Sequence, residues 1–599
     1  MSCKIEDYGL IGDCETAALV GRDGSIDWLC WPAFDSDACF AALLGTPRHG
    51  RWLMAPAQAV KRSSRRYRGQ TLILETRFET ADGIVLVIDF MPPRGKASDI
   101  VRLVRGVNGR VRLRMELVIR FGFGADIPWV KRTDDGLLAI CGPDMMVLRT
   151  PVMTRGEDMT TTADFEVGEG ETIPFVLTYG PSHLPVPGPI DPAQALQDTE
   201  AFWADWCDRC SYQGGHRDLV VRSLITLKAL TYLPTGGIVA APTTSLPEKL
   251  GGARNWDYRF CWLRDATFTL LALMNSGYTE EASCWHDWLR RAVAGAPASM
   301  QIMYGIRGQR RLLEWEAGWL PGYEGAQPVR VGNAAHAQLQ LDVYGELIDA
   351  FHQSRMAKLK LDDGTWDLEC KVLEHLAEIW TLPDSGIWER RGEPQHYVSS
   401  KVMTWVGFDR GIKSAEKFGL DAPLERWRNL RDTIHREVCE KGFDRGQNAF
   451  VQSYGSQVLD ASILLLPSVG FLPGSDPRVL GTLAAIEKHL MRDGFVLRHD
   501  PREITGERQP IEGAFLACSL WLADAYVLAG EIAKADALFD RVVAVANDLG
   551  LLAEEFDSGA GRQTGNFPQA LTHIALINTA HNLCGAKRSI EKPAVQRSK

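Results

Sequence analysis

The segment Arg254–Asp265 carries more chemistry-bearing side chains than any other part of the chain. It places three Arg, two Asp and two Trp within twelve residues and leads into an apolar run. Carboxylates and guanidinium groups bond hydroxyls, while aromatic rings cover apolar ring faces, so the mixture suits a sugar. An Arg/Asp network that caps the following helix, with Asp265 near its N-terminus, is an equally open interpretation.

A second candidate is Glu389, which follows Trp388 in a glycine-containing loop between two predicted helices. A general acid needs a carboxyl group that stays protonated near neutral pH, and an apolar neighbour raises its pKa by desolvation. The adjacent Arg390 and Arg391 would lower that pKa if they pointed at the carboxylate. A surface glutamate paired with those arginines therefore remains an alternative.

A third candidate is the acidic pair of Leu551–Asp557, which is followed by the loop Gly565–Gln569. Two adjacent carboxylates near a glycine could include a general base, but the same sequence is also typical of an acidic helix end or loop. Further carboxylates occur in Glu314–Glu316 and in Pro321–Asn333. The chain therefore has more candidates than a catalytic pair needs, and local composition does not select among them.

Metal and phosphate chemistry have no comparable signal. The chain contains neither a glycine-rich phosphate loop with its lysine nor an HExxH motif, and its 13 His form no ligand-spaced group. The 13 Cys include one CxxC, Cys207–Cys210, without a second pair at zinc spacing. We predict no dedicated metal site, and free buried thiols in a cytoplasmic protein, because the N-terminus lacks the apolar stretch of a signal peptide.

Composition narrows the possible partners. The chain has 599 residues, 45% apolar and 24% charged, and a net charge of −10, as expected for a globular protein of two or three domains. Its short basic run, Lys61–Arg68, is too small to bind nucleic acid in an acidic chain. No apolar stretch approaches 18 residues, so no membrane span is predicted. The sequence leaves open a homo-oligomer.

The first 200 residues read as short strands of a β-sandwich. Runs of apolar and β-branched residues alternate with Gly, Asp and Pro turns. The predicted strands are Leu72–Phe78, Val85–Phe90, Val101–Val104, Val111–Arg120, Leu137–Cys141 and Thr172–Tyr179. The Pro/Gly-rich segment Val186–Pro192 is the predicted linker. We therefore place a β-sandwich domain at 1–190 and a helical connection at 191–218.

After the linker the apolar spacing becomes helical. The predicted helices are Leu219–Tyr232, Asp265–Ser276, Glu281–Ala294, Ala334–His352, Trp366–Trp380, Ser400–Phe418, Leu424–Glu440, Ser456–Leu466, Pro477–Met491, Gly513–Ala529, Ile532–Asn547 and Pro568–Leu583. Their pairing fits six helical hairpins closed into an α/α toroid at 219–585, followed by a polar tail at 586–599. The loops between helices hold the candidate residues, as is common on rigid scaffolds.

At these motifs the chain resembles glycoside hydrolase family 15, the family of glucoamylases and bacterial trehalases. The similarity runs over nearly the whole length and is carried by Ile5–Pro32, Ala241–Glu248, Arg254–Asp265 and Pro328–Asn333. The resemblance implies an N-terminal antiparallel β-sandwich followed by an (α/α)6 barrel, in agreement with the patterns above.

The resemblance also implies roles for individual residues. The Ile-Trp-Glu that ends at Glu389 is similar to the motif of the general acid, and Ala-Glu-Glu-Phe-Asp is similar to the motif of the base, which makes Glu554 the base. The next position is an amide in fungal glucoamylases, so the choice between Glu554 and Glu555 stays open. The resemblance implies that the non-reducing terminal glucose is held by Tyr258, Trp262, Arg264 and Asp265. Candidates for the subsite of the second sugar are Trp315, Trp319, Tyr323, Arg330 and Trp388, and Glu555 is also assigned to substrate binding.

The activity implied by the resemblance is hydrolysis of α-glucosides with inversion. Trehalose is the favoured substrate, and the alternative is a glucoamylase-like exo-α-glucosidase acting on maltose- or isomaltose-type oligosaccharides. A disaccharide phosphorylase and an inactive sugar-binding protein are remoter alternatives. The chemistry requires no cofactor. Some bacterial members of the family are thought to respond to phosphate or Mg2+, but the sequence locates no site for either.

Overall fold

The computed structural model describes residues 3–134, 136–359, 364–500 and 512–596, with side chains up to residue 587. Residues 597–599 of the predicted polar tail lie outside this range. The preceding part of that tail is helical, because the last helix runs from Ala570 to Gln596.

The N-terminal domain is built from antiparallel strands in two sheets. The strands are β1 (Tyr8–Gly12), β2 (Ala17–Gly21), β3 (Ser25–Cys30), β4 (Ala38–Phe40), β5 (Arg51–Pro56), β6 (Arg62–Tyr67), β7 (Leu74–Glu79), β8 (Gly83–Phe90), β9 (Ser98–Val118), β10 (Trp129–Thr133), β11 (Gly136–Cys141), β12 (Asp144–Arg149), β13 (Arg155–Glu157), β14 (Thr160–Gly168) and β15 (Thr172–Pro181). One sheet has the order β1-β2-β3-β5-β9-β14-β13, with β4 on β3, and the other has the order β6-β7-β8-β9-β15-β12-β11-β10.

Strand β9 belongs to both sheets. Its first half pairs with β8 and β15, and its second half pairs with β5 and β14. The sequence predicts two strands here, interrupted at a glycine turn, whereas the structure has one long strand that crosses between sheets. Glycine suits the crossing point, because a Cβ on Gly106 would lie only 1.9 Å from the carbonyl oxygen of Gly168. The predicted β-sandwich is confirmed.

The C-terminal domain is helical. Its helices are α1 (Pro192–Cys207), α2 (Arg217–Ala229), α3 (Ala266–Asn275), α4 (Thr279–Val293), α5 (Asp342–Met356), α6 (Gly364–Ile379), α7 (Val398–Phe418), α8 (Leu424–Lys441), α9 (Leu465–Ser468), α10 (Pro477–His489), α11 (Leu516–Ala529), α12 (Ile532–Val543) and α13 (Ala570–Gln596). Helix α1 occupies the predicted connection between the two domains.

The odd-numbered helices from α3 to α13 form a closed inner ring. Each contacts the next odd-numbered helix, and α13 returns to α3. The even-numbered helices α2 to α12 pack outside them as the other halves of six hairpins. The predicted (α/α)6 barrel is confirmed, and none of the described helices is long and apolar enough to cross a membrane.

Two predicted helices begin well after their predicted first residue. The segment predicted as Ser456–Leu466 begins only at Ala461 as a 3-10 turn, because the Asp460 carboxylate accepts the backbone N–H of Ser462 and caps it there. The segment predicted as Ala334–His352 splits into a 3-10 turn and helix α5.

The sandwich packs directly against the barrel and shares its core. The indole N–H of Trp28 donates to the Pro242 carbonyl at 2.8 Å. The Arg259 guanidinium donates to the Ser36 carbonyl at 2.6 Å, while its other side pairs with the Asp257 carboxylate. These contacts fix the loop that leads into α3, which lies within the segment singled out by its composition.

Candidate active site

The candidate residues lie on loops that share one end of the barrel. In a ring of hairpins whose inner helices run parallel, every loop from an outer to an inner helix emerges at the same end. Tyr258 and Trp262 lie between α2 and α3, Glu389 between α6 and α7, and Glu554 between α12 and α13. The barrel therefore gathers residues nearly 300 positions apart in sequence, as the hydrogen bond between Tyr258 and Glu554 shows.

Tyr258 and Trp262 connect the two carboxylates. The Tyr258 hydroxyl donates to Glu554 Oε1 at 2.7 Å, and the Trp262 indole N–H donates to Glu389 Oε1 at 2.6 Å. The two aromatic rings are edge to face, with centroids 5.4 Å apart. One short segment thus holds Glu389 and Glu554 on either side of an aromatic pair.

Glu389 sits in a constrained turn. Its φ of +56° is in the left-handed region, which is costly for a glutamate and is found mostly at functional sites. Its backbone N–H donates to the Gly386 carbonyl at 3.1 Å, and its carboxylate also accepts from Arg264 Nη1 at 3.3 Å. Burial raises the pKa of this carboxyl group, and Arg264 and Trp262 partly oppose the rise. A raised pKa is what a general acid needs.

The neighbouring arginines point elsewhere. Arg391 forms two hydrogen bonds with the Glu314 carboxylate, at 2.9 and 2.5 Å, and Arg390 lies 3.1 Å from His499 Nδ1. The Glu389 side chain is only 18% exposed. This arrangement argues against a surface glutamate that is merely paired with its sequence neighbours.

Glu554 is almost fully buried, with 1% of its surface exposed. Gly565, at φ +77°, makes room for it, because a Cβ there would lie 2.7 Å from Glu554 Oε2. Burial raises the pKa of the Glu554 carboxyl, while Arg498 and the Tyr258 hydroxyl lower it. Glu554 therefore has a charge-stabilising partner on each side.

Glu555 has a different environment, although it is the next residue. It begins a short strand in the barrel loops, Glu555–Asp557, where successive side chains point to opposite faces. Its Oε1 accepts from Arg498 Nη2 at 3.0 Å, and the residue has no exposed surface. The two neighbouring carboxylates therefore differ in their hydrogen-bond partners. Tyr258 bonds Glu554, and Arg498 bonds Glu555.

Arg264 and Asp265 form an ion pair next to Glu389. Arg264 Nε donates to Asp265 Oδ1 at 2.8 Å, and Arg264 also reaches the Ile387 carbonyl. Asp265 occupies the N-cap position of α3, but its side chain makes no capping hydrogen bond. The carboxylate therefore orients Arg264 and does not cap the helix, which was the alternative drawn from sequence.

Two other predicted substrate-binding residues are engaged mainly with protein groups. The Trp388 indole N–H donates to Asp460 Oδ1 at 2.8 Å, and its ring stacks on Trp521. Arg330 donates to the Ala253 carbonyl at 2.9 Å and lies 4.5 Å above the Trp256 ring. Both residues brace the loops around the carboxylates.

The further candidates for the second sugar subsite differ clearly in their exposed fraction. Trp315 and Trp319 are 41% and 46% exposed, with ring centroids 5.8 Å apart. Tyr323 has no exposed surface, and its hydroxyl donates to the Cys3 carbonyl. The expectation that Tyr323 lines a subsite is therefore wrong, because its ring is packed between the two domains.

Sequence reasoning missed Arg498, although the Arg-His-Asp run at 498–500 was a signal. Arg498 donates to Glu248, Glu512 and Glu555, whose carboxylate oxygens lie within 4.8 Å of one another. Within the described part of the chain this is the one acidic group with a spacing that could hold a metal ion. An arginine guanidinium lies among the three carboxylates.

The two aromatic donors give a paired prediction about pH dependence. Each hydrogen bond lowers the pKa of its carboxyl group, so removing it raises that pKa, by about one unit for a bond to a charged group. In Tyr258→Phe, Glu554 loses its proton only at higher pH, and the acid limb of the pH–rate profile moves up. In Trp262→Phe, Glu389 keeps its proton to higher pH, and the alkaline limb moves up. Full pH profiles of kcat/KM measure both.

The matched control is Tyr323→Phe, whose hydroxyl bonds Cys3 and Arg562 and neither carboxylate. Neither limb should move in that variant. A shift of the same limb in both Tyr258→Phe and Trp262→Phe would contradict the separate assignment of the two donors.

Comparison with known families covers both domains. Residues 214–581 match the family model "Glycosyl hydrolases family 15", and residues 1–192 match "Trehalase-like, N-terminal". The trehalase of Thermoplasma volcanium is 36% identical over 97% of this chain and 93% of its own length. The trehalase of Mycobacterium tuberculosis is 37% identical over 98% of this chain and 90% of its own length.

More distant relatives match only part of the chain or share only its fold. The isomaltose glucohydrolase of Kribbella flavida is 27% identical over 44% of this chain and 64% of its own length. Among solved structures, a bacterial glucoamylase complexed with acarbose superimposes with a TM-score of 0.69 at 13% identity, covering 97% of this chain and 94% of that one. That likeness shows a shared two-domain architecture.

Proposed function

Because the chain belongs to glycosyl hydrolases family 15, we propose that it is a trehalase, which hydrolyses trehalose to two glucose molecules. The observation that carries this proposal is the similarity to trehalases over both domains, at 36% and 37% identity and nearly full length. The candidate site supplies the two carboxylates that inverting hydrolysis of a glycoside needs.

In the proposed reaction Glu389 is the general acid and Glu554 the general base. Glu389 protonates the glycosidic oxygen of the leaving glucose. Glu554 removes a proton from a water molecule on the opposite face of the other glucose, and that water attacks the anomeric carbon. The α-linkage therefore yields β-glucose from the ring that is attacked, and no cofactor takes part.

The surrounding groups prepare both carboxylates for these roles. Arg264 lies close enough to Glu389 and Glu554 to lower the pKa of each. It is itself held by Asp265, and the pair offers hydrogen-bonding groups to the hydroxyls of the attacked glucose. Tyr258 and Trp262 fix the two carboxylates and present aromatic surface between them.

Maltose- and isomaltose-type glucosides are the second candidate substrates. They share the subsite of the attacked glucose with trehalose, so discrimination depends on the subsite of the leaving glucose. The similarity to an isomaltose glucohydrolase supports this candidate, but it covers less than half of the chain. A pocket built to bond the hydroxyls of one second ring can reject another linkage by about 10⁴-fold or more.

The test is a substrate panel of trehalose, maltose, isomaltose and soluble starch, followed by NMR from the first minutes. We expect trehalose to be hydrolysed far faster than the others, with β-glucose and α-glucose appearing together in equal amounts from its two rings. On a substrate of one reactive ring, the first released sugar should be β-glucose. Cleavage of maltose or isomaltose with trehalose untouched would refute the trehalase assignment and leave the α-glucosidase assignment standing. Glucose 1-phosphate formed in phosphate buffer would instead identify a phosphorylase.

A further inference from the structure

Behind the catalytic pair lies a buried cluster centred on one guanidinium group. Arg498 Nη2 donates to Glu248 Oε2 at 2.7 Å and to Glu555 Oε1 at 3.0 Å, and Arg498 Nε donates to Glu512 Oε1 at 3.0 Å. Glu248 and Glu555 are 3% and 0% exposed. The same nitrogen therefore serves both of these buried carboxyl groups.

The cluster contains more acidic than basic groups. Among the described residues, the charged or titratable groups that face Glu555 are Glu248 from the loop before α3, Glu512 and Arg498 from the loop before α11, Cys518 from α11, and the preceding residue Glu554. Arg254 adds a second positive charge, but its half-exposed guanidinium bonds Glu512 and not Glu555. Buried carboxylates without a compensating charge are strongly disfavoured, and taking up a proton removes the cost.

The excess of acidic over basic groups affects one oxygen of Glu555 in particular. Glu555 Oε2 is buried and has no hydrogen-bond partner within the described residues. An anionic oxygen in that position would have no hydrogen-bond donor among the described residues. The other oxygen shares its donor with Glu248, so the two carboxyl groups face each other across one nitrogen.

We propose that Glu555 is a neutral positioning residue, whose protonated carboxyl group holds the Arg498 guanidinium beside Glu554 without adding a second negative charge there. The proposal rests on the proposed function in taking Glu554 as the base. It explains why two adjacent glutamates can coexist next to the reacting water, because only one of them carries charge.

The electrostatics of the cluster agree with this geometry. Burial raises the pKa of Glu248 to about 8 and that of Glu555 well above its usual range, with Glu512 adding to both. Burial raises the pKa of the partly buried Glu512, but Arg498, His499 and Arg254 bring it down to about 2. The negative charge of the cluster thus lies on Glu512. The titration of Glu248 and Glu555 belongs to the pair.

The role of the protonated Glu555 carboxyl group is to keep Arg498 in place. Arg498 is the strongest of the groups that lower the pKa of Glu554 against its burial. Its guanidinium carbon also lies 5.6 Å from the Trp388 ring centroid, next to the loop of Glu389. Moving the guanidinium would therefore disturb the base directly and the acid through Trp388.

The test compares three substitutions of Glu555. Glu555→Ala should lose about tenfold or more in kcat, as expected for the loss of one charge-assisted hydrogen bond. Glu555→Gln, which is neutral and of the same shape, should recover most of that loss, whereas Glu555→Asp, which is too short to reach Arg498, should not. The acid limb of the pH profile in Glu555→Gln should coincide with that of the unsubstituted protein.

Two results would overturn the proposal. One is a Glu555→Gln variant as defective as Glu555→Ala. The other is an acid limb that moves down by about one unit in Glu555→Gln, because removal of a real negative charge would lower the pKa of Glu554 by that order. Glu248→Gln is the matched partner and should resemble Glu555→Gln. If the alanine variant does not fold, as judged by thermal unfolding, the acid limb of Glu555→Gln decides alone.

A spectroscopic measurement separates this proposal from the choice of substrate. At neutral pH the difference infrared spectrum between the unsubstituted protein and Glu555→Gln should contain the C=O band of a protonated carboxyl group. A carboxylate band in its place would refute the proposal without any activity assay. Kinetics are run on whichever α-glucoside is cleaved fastest, so an error in the trehalose assignment does not affect the result.

Discussion

Glu554→Gln is expected to fold normally and to lose about 10²–10⁴-fold in kcat, the usual contribution of a general base. The amide keeps the shape of the side chain and can still accept the hydroxyl of Tyr258, which now bonds Glu554 Oε1 at 2.7 Å. It cannot take a proton from the attacking water. Initial rates of glucose release, with circular dichroism and thermal unfolding as checks on folding, measure the effect.

Two comparisons make this prediction specific. Glu487→Gln on α10 removes a carboxylate that bonds Tyr526 outside the site, and it should have no effect on kcat. In Glu554→Ala, added azide should restore turnover and give β-glucosyl azide, because azide needs no base to attack from the side vacated by the carboxylate. Near-normal turnover in Glu554→Gln together with an inactive Glu555→Gln would show that the neighbouring carboxylate is the base.

Glu389→Gln is expected to lose about 10²–10⁴-fold on trehalose but far less on α-glucosyl fluoride. The leaving oxygen of trehalose needs a proton, and an amide is too weak an acid to supply it. Fluoride leaves without a proton, so the base and the binding groups suffice. The ratio of the two rates in Glu389→Gln and in the unsubstituted protein is the measurement.

The alkaline limb of the pH profile gives a second readout for Glu389. Burial raises the pKa of this carboxyl group, so in the unsubstituted protein activity falls on the alkaline side as its proton is lost. That limb should disappear when fluoride hydrolysis by Glu389→Gln is followed against pH. An equal loss on both substrates would show that Glu389 acts in some way other than proton donation.

The architecture follows largely from periodicity. Alternating and β-branched runs predict the sandwich, and apolar residues at helical spacing predict the twelve barrel helices, because a strand buries every second side chain and a helix every third or fourth. The predicted strand boundaries are wrong where tertiary contacts override a local sequence signal. The glycines at 106 and 109 indicate a turn, but the strand continues through them, since Gly106 permits close approach of β14 and Gly109 permits close approach of the backbone that begins β8.

The sequence alone determined the two-domain fold, the family and the motifs of the two carboxylates, since these depend on residue types and short-range spacing. The local sequence could not distinguish the role of Glu554 from that of Glu555, because the two residues are adjacent and of the same type. Only the tertiary structure gives them different environments, by bringing Tyr258 to one and Arg498 to the other. Each carboxyl group takes its properties from the charge, hydrogen bonds and burial around it, and those are supplied by loops that the sequence keeps far apart and the closed ring of inner helices brings together.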